Sequence, residues 1–347
     1  MRLSRRRVHA DAKQNGRKIS RPLLRFGLIA LAACSILLAW LVGGRGNGAP
    51  QGRRPVIASR ATLFVLPLRG GIPTRLSPAV GSFAFLSSPQ FAPNAGSVAF
   101  TAQRCLTCAH VLMLLRNGSF HVLNRLALRA AWFPDGKKLL FVHIGRDGTT
   151  LYRIGADGGG LREVASEHES DEGGASFDTP AVAPAGTRIA YSLEVEPIES
   201  RELFVREITS DAPRMISRLP LSAVEPHFSP DGRLIAFACE LRNNTFGICT
   251  TDLRGKGKRV LTRGPDDHDP VFSPDGRSIV FSSNRAAPGF GIRSLYLVST
   301  RGHRLRRLTR GADDSEPAFS ADGRRIVFVR RSLQYVRTMS SSTAPGR

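Results

Sequence analysis

FSPDGRSIVF, residues 272–281, reads as a tight turn followed by a strand. Pro274 presets φ for the first turn position, Asp275 caps the turn through its side chain, and Gly276 accepts a positive φ, so two antiparallel strands must meet there. The strand after the turn does not alternate apolar and polar. In the related copy at 228–237, FSPDGRLIAF, the run Leu234-Ile235-Ala236-Phe237-Ala238 is apolar on both faces. A strand of that kind has to be covered on both sides.

Four further stretches share the pattern: FAPNAGSVAF (91–100), WFPDGKKLLF (132–141), VAPAGTRIAY (182–191) and FSADGRRIVF (319–328). Seven residues after the turn proline, or after Ala321 in the last copy, stands an aromatic: Phe100, Phe141, Tyr191, Phe237, Phe281 and Phe328. Four residues before the turn a second proline recurs, at Pro89, Pro180, Pro226, Pro270 and Pro317, with Ala130 in the remaining copy. The copies follow one another every 41–50 residues, the length of one blade of a β-propeller. After each hairpin comes a further strand pair around a polar turn, for example Leu295–Val298 and Arg306–Thr309. The stretch Leu63–Leu76 is an outer pair with no inner pair before it, so it can complete the blade begun by 316–330; a weak strand at Gln334–Thr338 competes for that place.

The acidic residue, proline, F-S-P-D-G and final aromatic of Glu225–Phe237 and Asp269–Phe281, followed by L-Y-x-x and R-x-L-T, resemble the TolB-type propeller repeat. The resemblance covers about 61–330 and implies an all-β, six-bladed β-propeller. TolB itself carries a separate α/β domain ahead of its propeller; here an apolar run stands in that place. The resemblance therefore implies a fold and leaves the work to grafted sites.

The formal charge of +22 belongs largely to the N-terminus: residues 1–60 hold 13 Lys/Arg against Asp11 alone. Elsewhere the basic residues are scattered, with no RNA-binding aromatic signature and no zinc-finger spacing, which argues against nucleic acid. From Phe26 to Val42 no residue is charged, and the basic flank before it places that end in the cytoplasm. The expected layout is a basic cytoplasmic tail (1–25), a transmembrane helix or uncleaved signal (26–44), a flexible stalk (45–60), the propeller (61–338) and a disordered tail (339–347). A lipoprotein with Cys34 lipidated after Leu31-Ala32-Ala33, or a cleaved secreted form, remains an alternative. The expected location is the cell membrane, single-pass, with the propeller outside the cytoplasm.

No nucleophile elbow, His-Glu-x-x-His or Walker loop occurs. Acids cluster instead in the segments leading into the innermost strands: Glu167, Glu169, Asp171, Glu172 and Asp178; Glu225; Asp266, Asp267 and Asp269; Asp313, Asp314 and Glu316. Equivalent loops of a propeller converge on one mouth of its channel, so these acids, with His268, are the candidate ligand site for a cation or basic peptide. His268 within Asp267-His268-Asp269 could ligate a metal, and His168 and His227 lie in or near similar loops, but no ligand spacing is diagnostic and no cofactor is expected. Cys239 with Cys249, and Cys105 with Cys108, are candidate disulfides for an oxidising compartment. Together these readings point to a binding or scaffold module of the cell envelope that takes a protein, peptide or glycan; its oligomeric state is left open. The alternative is a propeller lyase or hydrolase with a metal or a His/carboxylate pair in the channel, such as His268 with Glu225 or Asp313.

Overall fold

The computed structural model describes residues 56–336, apart from 77–82, 95, 106, 146–147, 171–172, 196–199, 210–213, 216–221, 243, 289–290 and 311. The apolar run 26–44, its basic flank, Cys34, Asp171, Glu172 and the tail 339–347 lie outside the described residues. Among the described residues every assigned element is a strand, and no helix is long and apolar enough to cross a membrane.

Among the described residues twenty-four strands make six blades. The first two are β1 (Val56–Pro67) and β2 (Thr74–Arg75). Blade 1 then comprises β3 (Phe85–Phe91), β4 (Ser97–Gln103), β5 (Val111–Arg116) and β6 (Ser119–Arg125). Blade 2 is β7 (Ala127–Trp132), β8 (Lys138–Ile144), β9 (Gly148–Gly155) and β10 (Arg162–Ser170), and blade 3 is β11 (Gly173–Val182), β12 (Arg188–Val195), β13 (Ser200–Glu207) and β14 (Arg214–Met215). A short ladder between β10 and β11 joins these two blades into one eight-stranded sheet. Blade 4 holds β15 (Ala223–Phe228), β16 (Leu234–Glu240), β17 (Phe246–Asp252) and β18 (Arg259–Val260), and blade 5 holds β19 (Asp267–Phe272), β20 (Ser278–Ser283), β21 (Ser294–Ser299) and β22 (Arg306–Arg307). Blade 6 is completed across the chain: β23 (Asp313–Phe319) and β24 (Arg325–Val336) pair with β1 and β2.

That closure resolves the competition at the seam. Strand β24 runs straight on to Val336, against β1 from Pro67 back to Val56, so Gln334–Val336 extend an existing ladder instead of folding back as a third strand. The ladder also carries β1 into the stretch 56–60 that the sequence reading assigned to the stalk.

Six apolar clusters fill the six blade-to-blade interfaces, which is why the strand after each turn is apolar on both faces. Each repeat aromatic inserts towards the preceding blade; Phe141, for example, packs with Ala99 and Leu114 of blade 1, and Phe281 with Ala236 and Ile248 of blade 4. All six are essentially without solvent contact.

The inner turns nest in the same direction. A side-chain carbon added at Gly136, Gly186, Gly232, Gly276 or Gly323 would sit 3.5–3.8 Å from Pro93, Pro134, Pro184, Pro230 or Pro274, the turn proline of the preceding blade. Gly323 also has φ +67°. Gly323→Ala is therefore expected to lower unfolding stability by about 1–2 kcal/mol through the left-handed backbone alone. Urea unfolding checks it, and an unchanged midpoint would contradict it.

Candidate functional site

The innermost strands β3, β7, β11, β15, β19 and β23 line the central channel, and each carries a β-bulge at the acid-proline step of the repeat. In five of them the bulged residue has a left-handed backbone: Ser88, Arg129, Glu225, Asp269 and Glu316, with φ between 32° and 59°. A bulge withdraws its residue from the ladder and re-aims it, here into the channel, at a cost that tight turns and functional sites commonly carry. With Thr179, these residues form one ring of a cavity of about 340 Å³ whose remaining wall is mostly proline and apolar side chains.

The withdrawn backbone N–H groups find new acceptors in the preceding blade. The Asp269 N–H donates to Glu225 Oε2 at 2.7 Å, the Glu316 N–H to Asp269 Oδ2 at 3.1 Å, and the Ser88 N–H to Glu316 Oε2 at 2.5 Å. Three successive interfaces, from blade 4 round to blade 1, are thus stitched by a carboxylate reaching forward to a donor that would otherwise be unpaired.

Around this ring the charges interleave. His268 lies between Glu225 (Nδ1 to Oε2, 3.2 Å) and Asp266 (Nε2 to Oδ1, 2.9 Å), so both ring nitrogens are engaged. Burial alone would discharge it, but Glu225 and the hydrogen bonds to Asp266 and Glu225 push its pKa up to about 10. Burial likewise opposes ionisation of Glu225, yet His268, Arg129 and the Asp269 N–H hold that carboxyl well below the usual range. Asp266 is held down at about 2 by His268 and Arg293, against its own burial. Asp269 goes the other way: burial, then Glu225 and Glu316, push it up to about 6, with Arg293 and His268 opposing. Two carboxylates flanking a third cannot all ionise freely, and that leaves one group poised near neutrality.

Arg129 is the residue the sequence reading missed. Its Nε lies 3.4 Å from Asp178, and although burial favours the neutral form, Asp178, Glu316, Glu225 and Asp269 keep it firmly charged. The signal was present, because Arg129 stands in blade 2 at the register where three other copies have an acid before proline. Arg293 (on Asp266) and Arg331 (on Glu316, 3.1 Å) complete the set, and neither could be placed from spacing.

The candidate residues therefore separate into two groups. Glu225, Asp269 and Glu316 line the channel cavity, and Asp178, His268, Asp266 and Asp313 are joined to them through Arg129, Glu225 and Arg331. Asp267 and Asp314 do not line the cavity: both are 0% exposed, Asp267 bound to Arg285 and the Thr262 hydroxyl, and Asp314 to Arg330 through both oxygens. Among the described residues no group of three or more His, Cys, Asp or Glu is placed to hold a metal. Cys105 is bonded to Cys108 at the β4–β5 connection, and Cys239 to Cys249 across β16 and β17; the second pair is fully buried.

The family profile described as PD40, TolB beta propeller domain, matches residues 171–345. The chain belongs to the TolB β-propeller domain family. Among solved structures, putative TolB from Agrobacterium tumefaciens aligns with a TM-score of 0.66 at 17% identity, over 79% of this chain and 99% of that one. TolB from Acinetobacter baumannii gives 0.59 at 17%, over 75% and 66%. An oligogalacturonate lyase in complex with manganese gives 0.51 at 16%, over 78% and 77%. At such identities these likenesses show the shared propeller. No curated protein matches this TolB-type chain.

Proposed function

We propose that this TolB-type propeller is a binding module of the cell envelope that takes a cationic segment of a protein or peptide at its acidic channel mouth. One observation carries the reading: Glu225, Asp269 and Glu316 line the channel cavity together, with Asp178, Asp266 and Asp313 linked to them through Arg129, His268 and Arg331, and burial with the repelling charges of Glu225 and Glu316 pushes the Asp269 carboxyl up to about 6. An arriving ammonium or guanidinium group relieves that repulsion, so the site favours cations although the chain as a whole is strongly basic. The apolar run 26–44 with its basic flank supports a membrane-anchored display outside the cytoplasm, and the two disulfides suit an oxidising compartment.

A hydrolase or lyase reading would rest on Asp269 as proton donor, since His268, with both nitrogens occupied, is not free to shuttle a proton or ligate a metal. The binding reading is tested with the full chain and a panel of basic, neutral and acidic peptides. Asp178→Asn/Asp266→Asn/Asp313→Asn removes charge from the more exposed mouth acids while keeping their shape. It is expected to weaken basic-peptide binding about tenfold or more; because Asp178 pairs with Arg129 and Asp266 with His268 and Arg293, the melting temperature should fall while the domain stays folded, and the binding loss should be mimicked by added salt. Equal binding by the triple variant would sink the proposal.

A further inference from the structure

The face opposite the acidic mouth carries the inner Ser-Pro-Asp-Gly turns and the outer β1–β2, β17–β18 and β21–β22 turns. Backbone hydrogen bonds knit them together: Leu68 N–H to the Arg324 carbonyl at 2.8 Å, and Thr300 N–H to the Arg277 carbonyl at 3.0 Å. In blades 4 to 6 this face is dense in exposed cations. The outer turns present Arg254 and Lys256, Arg301 and Arg304, and Arg69 and Arg75. The inner turns add Arg233, Arg277 and Arg324, also exposed. None of these nine forms a salt bridge among the described residues. The nearby acids cap their own turns; Asp252, for instance, accepts the Arg254 and Lys256 N–H groups at 2.8 and 2.7 Å. Blade 1 shows no such density on this face, its turns being Pro93-Asn94 and Asn117-Gly118.

Large aliphatic side chains stand among these cations. Ile72, at the tip of the β1–β2 turn, is 85% exposed, Leu305 of the β21–β22 turn is 46% exposed, and Leu234 beside Arg233 is 39% exposed. A soluble polyanion has no use for exposed Ile and Leu. A bilayer of anionic lipid uses both features, because the cations meet the negative surface potential while the aliphatic tips enter the acyl boundary.

We propose that the turn face of blades 4 to 6 docks on an anionic lipid surface, leaving the acidic mouth pointing away from it. The contact is independent of the mouth: it involves no residue of the channel ring.

The test is amide hydrogen exchange on the full chain reconstituted into vesicles of phosphatidylcholine, with or without phosphatidylglycerol. Comparing the two lipid compositions cancels any contribution of residues 26–44, which would insert into either. Amides of 69–75 and 301–306 are expected to exchange severalfold more slowly in the phosphatidylglycerol vesicles only. Arg69→Glu/Arg301→Glu/Arg304→Glu should abolish that protection, and Ile72→Ser/Leu305→Ser should reduce it, both with unchanged melting. Equal exchange in the two vesicle types overturns the proposal. So does protection by inorganic polyphosphate without vesicles that Ile72→Ser/Leu305→Ser leaves intact, which would assign the face to soluble polyanions.

Discussion

Asp314→Ala is expected to cost about 3 kcal/mol of unfolding free energy. Asp314 is wholly buried at the start of β23 and binds Arg330 of β24 through both oxygens, at 2.7 and 2.9 Å. The guanidinium in turn lies over Phe64 of β1, 4.7 Å from the ring centroid, and over Phe328 at 5.5 Å. One carboxylate therefore holds the side chain that clasps the N-terminal strand against the last blade. Removing it leaves a mostly buried cation with no counter-charge; because Arg330 keeps some solvent contact, the cost is set at the low end for a broken buried pair. Replacing both partners, as in Asp314→Leu/Arg330→Met, should recover most of the loss, because the stranded charge goes with the carboxylate. Chemical denaturation of the single and double variants checks this. A single-variant cost below about 1 kcal/mol, or a double variant as unstable as the single, would show that the pair is not a strut.

Asp269→Asn should do the opposite and stabilise the protein by about 1–3 kcal/mol at pH 8, with little effect at pH 4. The Asp269 carboxyl is raised to about 6 in the folded protein, against about 3.9 in an unfolded chain. The native state thus holds this proton more tightly than the unfolded state does. The associated stability is fully present below about pH 4, is lost as pH rises to about 6, and above that ionised Asp269 is a net penalty. Asparagine removes the charge while its carbonyl can still accept the Glu316 N–H and the Ser282 hydroxyl, which Asp269 Oδ2 takes at 3.1 and 2.8 Å. His268, raised to about 10, contributes in another window: its stabilisation is complete below pH 6.5 and fades as pH climbs through 10. Melting temperature against pH for the two proteins gives the result directly, and a destabilised Asp269→Asn at pH 8 would refute the repulsion among Glu225, Asp269 and Glu316. An acid kept where its charge costs stability is what a binding site for cations requires, and the same variant should lose basic-peptide affinity while gaining stability.

The fold was legible because every feature that specifies it is local. Ser-Pro-Asp-Gly determines a turn from its own torsions, the aromatic seven residues on determines which face of the strand is buried, and six copies at blade spacing leave the sheets little to do but circle. The convergence of Glu225, Asp269 and Glu316 was legible for the same reason, since equal register in a repeat means equal position round the channel. The charge state of that mouth was not. Asp266 and Asp267 are neighbours in sequence, yet Asp266, just ahead of β19, pairs with His268 and Arg293, whereas Asp267, the first residue of β19, is buried against Arg285. Arg129 reads as an ordinary arginine until closure of the ring brings Asp178, Glu225, Asp269 and Glu316 around it.

By itself, then, the sequence determined that there are six blades and where each turns, because torsional preference and apolar periodicity act over a few residues; that the N-terminal pair closes the last blade was decided only by the pairing of β1 with β24. Only the tertiary structure decided which acids face solvent, which are spent on arginines and backbone N–H groups, and which one is left to titrate near neutrality. Those outcomes depend on distances between residues about 45 to 230 positions apart, set when the ring closes, and electrostatic energy follows distance and burial, not order along the chain.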